Sequence, residues 1–374
     1  MTPKKILLVA AEVSGDDHAA EVGRFLQKKI PTIKISGIGG DQLAGLGMNI
    51  LFHVRQMAFL GVGEVIKHLP FILKVHKTLV SHAETEKPNC IILVDYPGFN
   101  LRLAKSLKKL NIPIIYYISP QLWAWNSGRV KKIKKYVDQM IVLFPFEEKF
   151  YKENGVNAKY VGHPLVDHHH TFLPDSIKQI KKGFVKIGLL PGSRKQEVTS
   201  LLNRMIETAR SLYKQNIINE AEIVKVDHLE KELYSTQLND DDFIKIVQKP
   251  LKDCLLEYDA VIVASGTATL ECGYYGVPML IVYQVNPLTF ILGRLLVKIK
   301  NIGLVNIVAE KQVAVELIQD DFSVHRAIRE MKILLDENEN QKVRNNLLVI
   351  REKLGEPGAS KRTGQIVLDM LNKN

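Results

Sequence analysis

Short, β-rich apolar runs recur along this chain between stretches of helical periodicity, and that alternation limits the fold more than any other feature. The runs are Ile6 to Ala10, Ile91 to Val94, Ile114 to Ile118 and Met140 to Phe144 in the first half. Val185 to Leu190, Ile223 to Val226, Ile244 to Val247, Val261 to Ala264 and Met279 to Tyr283 follow in the second. Apolar strands separated by helices predict parallel sheets covered on both faces, so each half reads as a doubly wound α/β domain. At 374 residues the chain exceeds one ordinary core. The boundary falls in Pro164 to Lys182, where the apolar rhythm lapses, giving domains over 1–165 and 183–350. His168, His169 and His170 lie in this stretch. Adjacent residues do not converge on one ion, so a solvated linker is expected rather than a metal site.

Composition narrows the class. No apolar run approaches the ~20 residues of a membrane span, and 46% hydrophobic with 24% charged residues is ordinary for a globular, soluble protein. The opening Met1 to Ile6 runs straight into a strand without the features of a secretory leader, so a cytoplasmic location is expected. Cys90, Cys254 and Cys272 form no C-x-x-C pair and read as reduced, small hydrophobes. A net charge of +11 implies anionic partners: nucleic acid, anionic lipid or phosphorylated substrates.

Four strand ends carry candidate chemistry. After Val185 to Leu190 come Pro191, Gly192, Ser193 and Arg194, then a helical pattern. A glycine turn entering a helix aims free backbone N–H groups at the carboxyl edge of the sheet, where anions bind, and Arg194 adds a bidentate phosphate donor. Ser193 and Gln196 also fit a simple capping box. After Val261 to Ala264 come Ser265, Gly266 and Thr267, where a diphosphate can approach the backbone. Glu271 lies one turn on, placed to accept both ribose hydroxyls. A cap followed by an exposed glutamate is the plainer reading of that segment alone, but two such turns in one domain favour a nucleotide. In the first half, the turn holding Glu12, Ser14, Gly15, Asp16 and His18 is too acidic for a pyrophosphate and suits a hydroxyl-bearing or amino sugar. Asp95, at the end of Cys90 to Val94, reads as a helix cap or as a general base.

Two segments are amphipathic with basic flanks. Leu60 to Val80 carries Leu69, Ile72 and Leu73 on an apolar face beside Lys67, Lys74 and Lys77, and Pro287 to Lys300 is similar. Each fits a helix covering a core or one lying in an anionic membrane interface, and Arg129 to Lys135 reads as a solvated helix face or as an extension of that basic surface.

Ala10-Ala11-Glu12-Val13-Ser14-Gly15-Asp16 resembles the A-G-E-x-S-G-D signature of the lipid-A-disaccharide synthase family. Gly37 to Gly40, Ser119-Pro120-Gln121-Leu122-Trp123-Ala124-Trp125, Leu143 to Glu147, Gly162-His163-Pro164, Leu190 to Arg194 and Ser265 to Glu271 continue that resemblance in order over nearly the whole chain. Both tryptophans of the chain fall in one of these motifs. Three positions depart from the pattern: Ala11 for glycine, Gly98 for an aspartate, and Glu310 for glycine after Asn306.

The resemblance implies a GT-B fold: two Rossmann-like domains facing a cleft, with a terminal segment, 351–374, crossing back to the first. It implies that UDP-2,3-diacylglucosamine is joined to 2,3-diacylglucosamine 1-phosphate with inversion, without metal or cofactor, at the cytoplasmic face of the inner membrane. Gly192, Ser193, Arg194, Ser265, Gly266, Thr267, Glu271 and, by the resemblance alone, Asn306 would hold the donor. Glu12, Ser14, Gly15, Asp16 and His18 would face the acceptor, and Leu69, Ile72 and Leu73 the membrane. Asp95 is the first candidate for the base, with Glu12, Asp16 and His18 as rivals, and Arg194 steadies the leaving group. A sugar-nucleotide epimerase of the same fold would have no use for the apolar, basic helices. A nucleic-acid binder would need a reading module that the chain lacks. Assembly into a homo-oligomer stays open.

Overall fold

A computed structural model of the chain describes residues 3–57, 68–120, 122, 127–173, 178–180, 183–238, 241–285 and 301–373. It divides into two compact units, Met1–His168 with Glu356–Asn374, and His169–Gly355. In the first unit the strands are β1 (Lys5–Ala10), β2 (Lys34–Gly39), β3 (Asn49–His53), β4 (Cys90–Val94), β5 (Ile114–Tyr117), β6 (Gln139–Val142) and β7 (Ala158–Tyr160). They pair in the order β3-β2-β1-β4-β5-β6-β7, parallel throughout. In the second unit β8 (Lys186–Leu190), β9 (Glu220–Val224), β10 (Ile244–Val247), β11 (Ala260–Ala264), β12 (Met279–Tyr283) and β13 (Val315–Ile318) pair in the order β10-β9-β8-β11-β12-β13, again parallel.

The physical reason for this arrangement is visible in the middle strands. Every residue of β4, β8 and β11 is buried, which only helices on both faces of a sheet can accomplish. Each large aliphatic side chain so buried contributes about 1.5–3 kcal/mol. In each sheet the strand order reverses once, between β1 and β4 and between β8 and β11. At such a reversal the two crossover helices leave to opposite faces, and the loops at the strands' carboxyl ends part to leave a crevice.

The stretch expected to be a solvated linker is partly built into the fold. Pro164–His169 is a helix whose Pro164, Leu165 and Val166 are buried. The Asp167 carboxylate accepts backbone N–H groups of Gly358 (2.5 Å), Ala359 (3.1 Å) and Ser360 (3.0 Å), holding the start of the helix Ala359–Lys373. Burial alone would raise the Asp167 pKa, but the amides of Ser360, Gly358 and Ala359 outweigh it and hold the carboxyl below its ordinary value. His168 and His170 are exposed, whereas His169 is partly buried in the second unit.

The helix Leu69–Glu86 buries Val75, Leu79 and Ala83. Leu69 and Leu73 stand 40% and 52% exposed, while Ile72 leans on the first unit's core. Ile72 is partly buried, so its side chain is shared between that core and the surface. Residues 60–67 of the first amphipathic segment and all of the second, 287–300, lie outside the described residues, as do Trp123 and Trp125. Among the described residues no helix is long and apolar enough to cross a membrane.

Replacing Asp167 with alanine leaves three amides without their acceptor and should cost about 1–3 kcal/mol, read as an earlier transition in urea unfolding. Because the folded pKa lies below the unfolded one, the Asp167 contribution is full above the ordinary carboxylate range and fades as pH falls through it. The difference between wild type and Asp167→Ala should therefore shrink toward pH 3. A constant difference between pH 7 and pH 3 would assign the loss to packing instead.

Candidate functional site

The first unit's crevice is flanked by the loops that follow β1 and β4. After β1, Ala11 is buried and its backbone stays out of the left-handed region, so alanine serves where glycine was expected. Glu12 is the exposed N-cap of the helix Val13–Lys29 and makes no side-chain cap bond. Ser14 is exposed in the first turn, Gly15 is buried, and His18 holds its Nδ1 buried without a hydrogen-bond partner among the described residues. Burial pushes the His18 pKa down to about 4, with His168 adding to the effect, so its ring is neutral at physiological pH.

Asp16 departs from the expectation. Its carboxylate is 3% exposed and accepts the backbone N–H groups of Gly40 (2.6 Å), Gln42 (3.0 Å) and Leu43 (3.3 Å). It anchors the helix Asp41–Gly45 and is removed from the groups able to meet a sugar. A Cβ on Gly40 would lie 2.6 Å from that carboxylate, which accounts for glycine there.

The loop after β4 is strained. Asp95 and Tyr96 sit consecutively at φ of 45° and 47°, and at the end of β5 the β-branched Ile118 is at 67°. Such conformations cost on the order of 1 kcal/mol each and persist only where neighbours enforce them. Here the Asp95 carbonyl accepts Asn100 Nδ2 (2.8 Å) and Tyr116 Oη (2.6 Å), and Tyr96 Oη donates to the Met57 carbonyl (3.1 Å). Tyr96, not Asp95, is the N-cap of the helix Pro97–Leu107, and no side chain caps it. Burial, then the nearby Glu12 charge, pushes the Asp95 pKa up to about 6. A carboxylate poised there can accept a proton near neutrality. Gly98 is exposed with open space beside it, so the aspartate absent from this chain would have stood free in the same loop.

The motifs between these loops have structural work. Ser119 Oγ donates to Glu147 Oε1 (2.6 Å), and Leu143 and Phe144 N–H donate to Oε2 (3.2 Å each). Glu147 thereby fastens the turn after β5 to the turn after β6.

In the second unit the crevice lies between the loops after β8 and β11. The Ser193 and Arg194 N–H groups, expected to be free for an anion, donate to Glu197 Oε2 at 3.0 and 3.2 Å, and Arg194 Nη1 reaches Glu197 Oε1 at 3.2 Å. The cap of the helix Lys195–Lys214 thus pairs Arg194 with Glu197, one residue beyond the expected Ser193 and Gln196. Gly192, at φ 110°, is required because a Cβ would lie 2.3 Å from Glu197 Oε2. Arg194 remains 64% exposed.

After β11, Ser265 Oγ donates to the Ile302 carbonyl (3.1 Å), and Gly266 is the N-cap of the helix Thr267–Tyr275 without a side-chain cap. Thr267 is exposed, and the space beside Gly266 is open. Glu271, one turn on, has a side chain 18% exposed whose pKa burial raises to about 7 against the opposing charge of Lys252. His169 and Tyr275 stand beside it, a grouping that sequence reasoning missed because the histidines read as linker.

Asn306 is corrected as well. It is 0% exposed, its Nδ2 donates to the Ala314 carbonyl (2.8 Å) and Glu316 Oε1 (2.7 Å), and its Oδ1 accepts the Val313 and Ala314 N–H groups. With every polar atom engaged it cannot reach a ligand. Glu310 occupies the left-handed position at the end of that helix, held by Lys353 at 2.7 Å.

The family model described as lipid-A-disaccharide synthetase matches residues 6–370. The lipid-A-disaccharide synthase of Trichlorobacter lovleyi is 40% identical, over 100% of this chain and 99% of that protein. Among solved structures, the calicheamicin glycosyltransferase superimposes with a TM-score of 0.60 at 14% identity, over 100% of this chain and 99% of that one. The UDP-GlcNAc 2-epimerase from Neisseria meningitidis bound to UDP-GlcNAc gives 0.59 at 13%, over 99% and 100%. Likeness at this identity speaks for the fold, the GT-B class, which transferases and epimerases share.

Glu271 supplies a test of the second crevice. Its folded pKa lies above the ordinary 4.5, so the folded state holds a proton that the unfolded state releases, and stability falls as pH rises from 4.5 through about 7. Glu271→Gln removes this burden. It should raise thermal stability at pH 8, by an amount on the order of 3 kcal/mol at most, and change it little at pH 5. Equal effects at both pH values in calorimetry would show that the carboxyl is not held protonated.

Proposed function

Because this chain belongs to the lipid-A-disaccharide synthase family, we propose that its donor is UDP-2,3-diacylglucosamine and its acceptor 2,3-diacylglucosamine 1-phosphate. The enzyme is a glycosyltransferase that forms the lipid A disaccharide, and the match to synthases along its whole length favours this over the epimerase and nucleic-acid readings. The observation that carries the finer reading is that the four candidate loops occupy the two strand-order reversals, one pair in each unit.

In this reading Asp95 takes the proton of the acceptor's 6-hydroxyl as its oxygen attacks the anomeric carbon of the donor. The bond from that carbon to the UDP oxygen breaks, and attack opposite the departing group turns an α-linked donor into a β-linked product. Negative charge grows on the diphosphate. The exposed Arg194 guanidinium and the uncapped start of the helix Thr267–Tyr275 meet it. Ser265, Gly266 and Thr267 let the diphosphate approach the backbone, Gly192 and Ser193 shape the turn that carries Arg194, and Glu271 accepts the ribose hydroxyls. Glu12, Ser14, Gly15 and His18 remain the acceptor side, with Glu12 and His18 as the rival bases.

UDP release should require both lipid sugars. Asp95→Asn should lower turnover by roughly a hundredfold or more and remove the acidic limb of the pH profile, which in the wild type falls as pH drops through about 6. Near-normal turnover with that limb intact would pass the base to Glu12 or His18.

The proposal extends to location: the enzyme docks peripherally on the cytoplasmic face of the inner membrane. Leu69 and Leu73 enter the interface while the exposed Lys74 and Lys77 meet anionic head groups. The double variant Leu69→Ser, Leu73→Ser should lose sedimentation with anionic vesicles while its circular dichroism is unchanged. Undiminished sedimentation would remove this helix end from the membrane contact.

A further inference from the structure

The nucleotide reading of Glu271 leaves its neighbours without a role. His169 is the first residue of the second unit, and its side chain, 14% exposed, turns inward onto the helix Thr267–Tyr275. One ring nitrogen, Nδ1, lies 3.0 Å from Tyr275 Oη, and the other, Nε2, lies 3.8 Å from Glu271 Oε1. Glu271 and Tyr275 are four residues apart on that helix, so one face presents both, and the imidazole bridges them. The Tyr275 ring also meets the His169 ring edge to face, with centroids 5.6 Å apart.

We propose that His169 and Tyr275 are positioning residues for Glu271, the tyrosine hydroxyl setting the imidazole tautomer so that the Nε2 hydrogen faces the carboxylate. The proposal rests on the reading of Glu271 as the ribose acceptor and adds what orients it. Burial pushes the Tyr275 pKa up to about 12, so its hydroxyl keeps its proton. Against a neutral imidazole that hydroxyl donates to Nδ1, which leaves the ring hydrogen on Nε2. Against an imidazolium both ring nitrogens carry hydrogen. In either state a donor faces Glu271, as second partners of ligating histidines fix tautomers elsewhere.

The consequence is specific to the ionised carboxyl. At 3.8 Å the contact is longer than a hydrogen bond; hydroxyl donors from the ribose favour the ionised carboxylate, which attracts the Nε2 hydrogen more strongly. Among the described residues, the other groups around Glu271 include Tyr275, Cys272 beside it in sequence, and Lys252 from the helix Leu251–Leu255. Arg351, from the helix Val349–Leu354, reaches the Tyr274 carbonyl instead. A donor on His169 therefore adds to Lys252 in favouring the anion.

The test follows the Glu271 carboxyl by NMR on the full chain labelled with [δ-13C]glutamate, assigned with Glu271→Gln. The wild-type midpoint is expected near 7. Tyr275→Phe frees Nδ1 to hold the hydrogen and turns the Nε2 lone pair toward Glu271, so the midpoint should rise by roughly half a pH unit or more. His169→Leu keeps the apolar bulk, removes the donor, and should raise it at least as far. Because Tyr275 acts only through His169, the double variant should titrate no higher than His169→Leu alone. Calorimetric affinity for UDP should fall about twofold or more in Tyr275→Phe at pH 7 and approach the wild type at pH 8.5. Single-variant midpoints equal to the wild type, or additive shifts in the double variant, overturn the proposal. An unchanged UDP affinity in Glu271→Gln would instead overturn the ribose reading, and the titration shifts would still stand as the measure of the positioning pair.

Discussion

Parallel pairing governs this molecule. A parallel strand cannot return by a hairpin, so each chain segment must cross over the sheet and re-enter from the same edge. In both sheets every pairing obeys this, and the carboxyl ends of all strands therefore collect along one edge. Crossovers are right-handed, so a helix can change faces only where the strand order reverses. The loops bearing Glu12 and Asp95, and those bearing Arg194 and Gly266, stand beside those reversals because of where their strands lie. Their chemistry is an addition to positions that topology had already opened.

Carboxylates in these loops divide into two kinds, and hydrogen bonding separates them. Asp16, Glu147, Asp167 and Glu197 each accept two or more backbone amides, and these carboxylates serve as joints between turns. Asp95 and Glu271 are largely but not fully buried, without comparable compensation, and their protonated forms gain. A protein tolerates that loss where the group has a task, and strain at Asp95, Tyr96 and Ile118 points to the same neighbourhood.

What could be read from residues alone follows from what burial does to sequence. The central strands are unbroken apolar runs and announce themselves. β2 is interrupted by two glycines, while β3, β7 and β13 lie at sheet edges with half-exposed or polar residues, so their patterns dissolve into the flanking loops. The turns were equally legible, because glycine, serine and an acid after a strand have few other uses. The partners of each acid were not. Whether Asp16 meets a sugar or three amides depends on Gly40 and its neighbours, 24 or more residues away in sequence. Likeness to other chains is all that points to Asn306, and the geometry around Ala314 and Glu316 removes it from the ligand's reach. His169 was hidden by its two exposed namesakes.

The helix Ala359–Lys373 clusters with the first unit although the second unit's chain intervenes. During synthesis the first sheet must therefore wait for this later segment to leave the ribosome before its covering is complete. The intervening unit can close on its own contacts in the meantime. Joining the distant segments then costs a loop entropy that grows only with the logarithm of the chain between them, and a folded insert shortens the effective loop further. The order of events is thus set by connectivity: the interrupted unit finishes last, and the surface that this helix covers stays open to solvent until then.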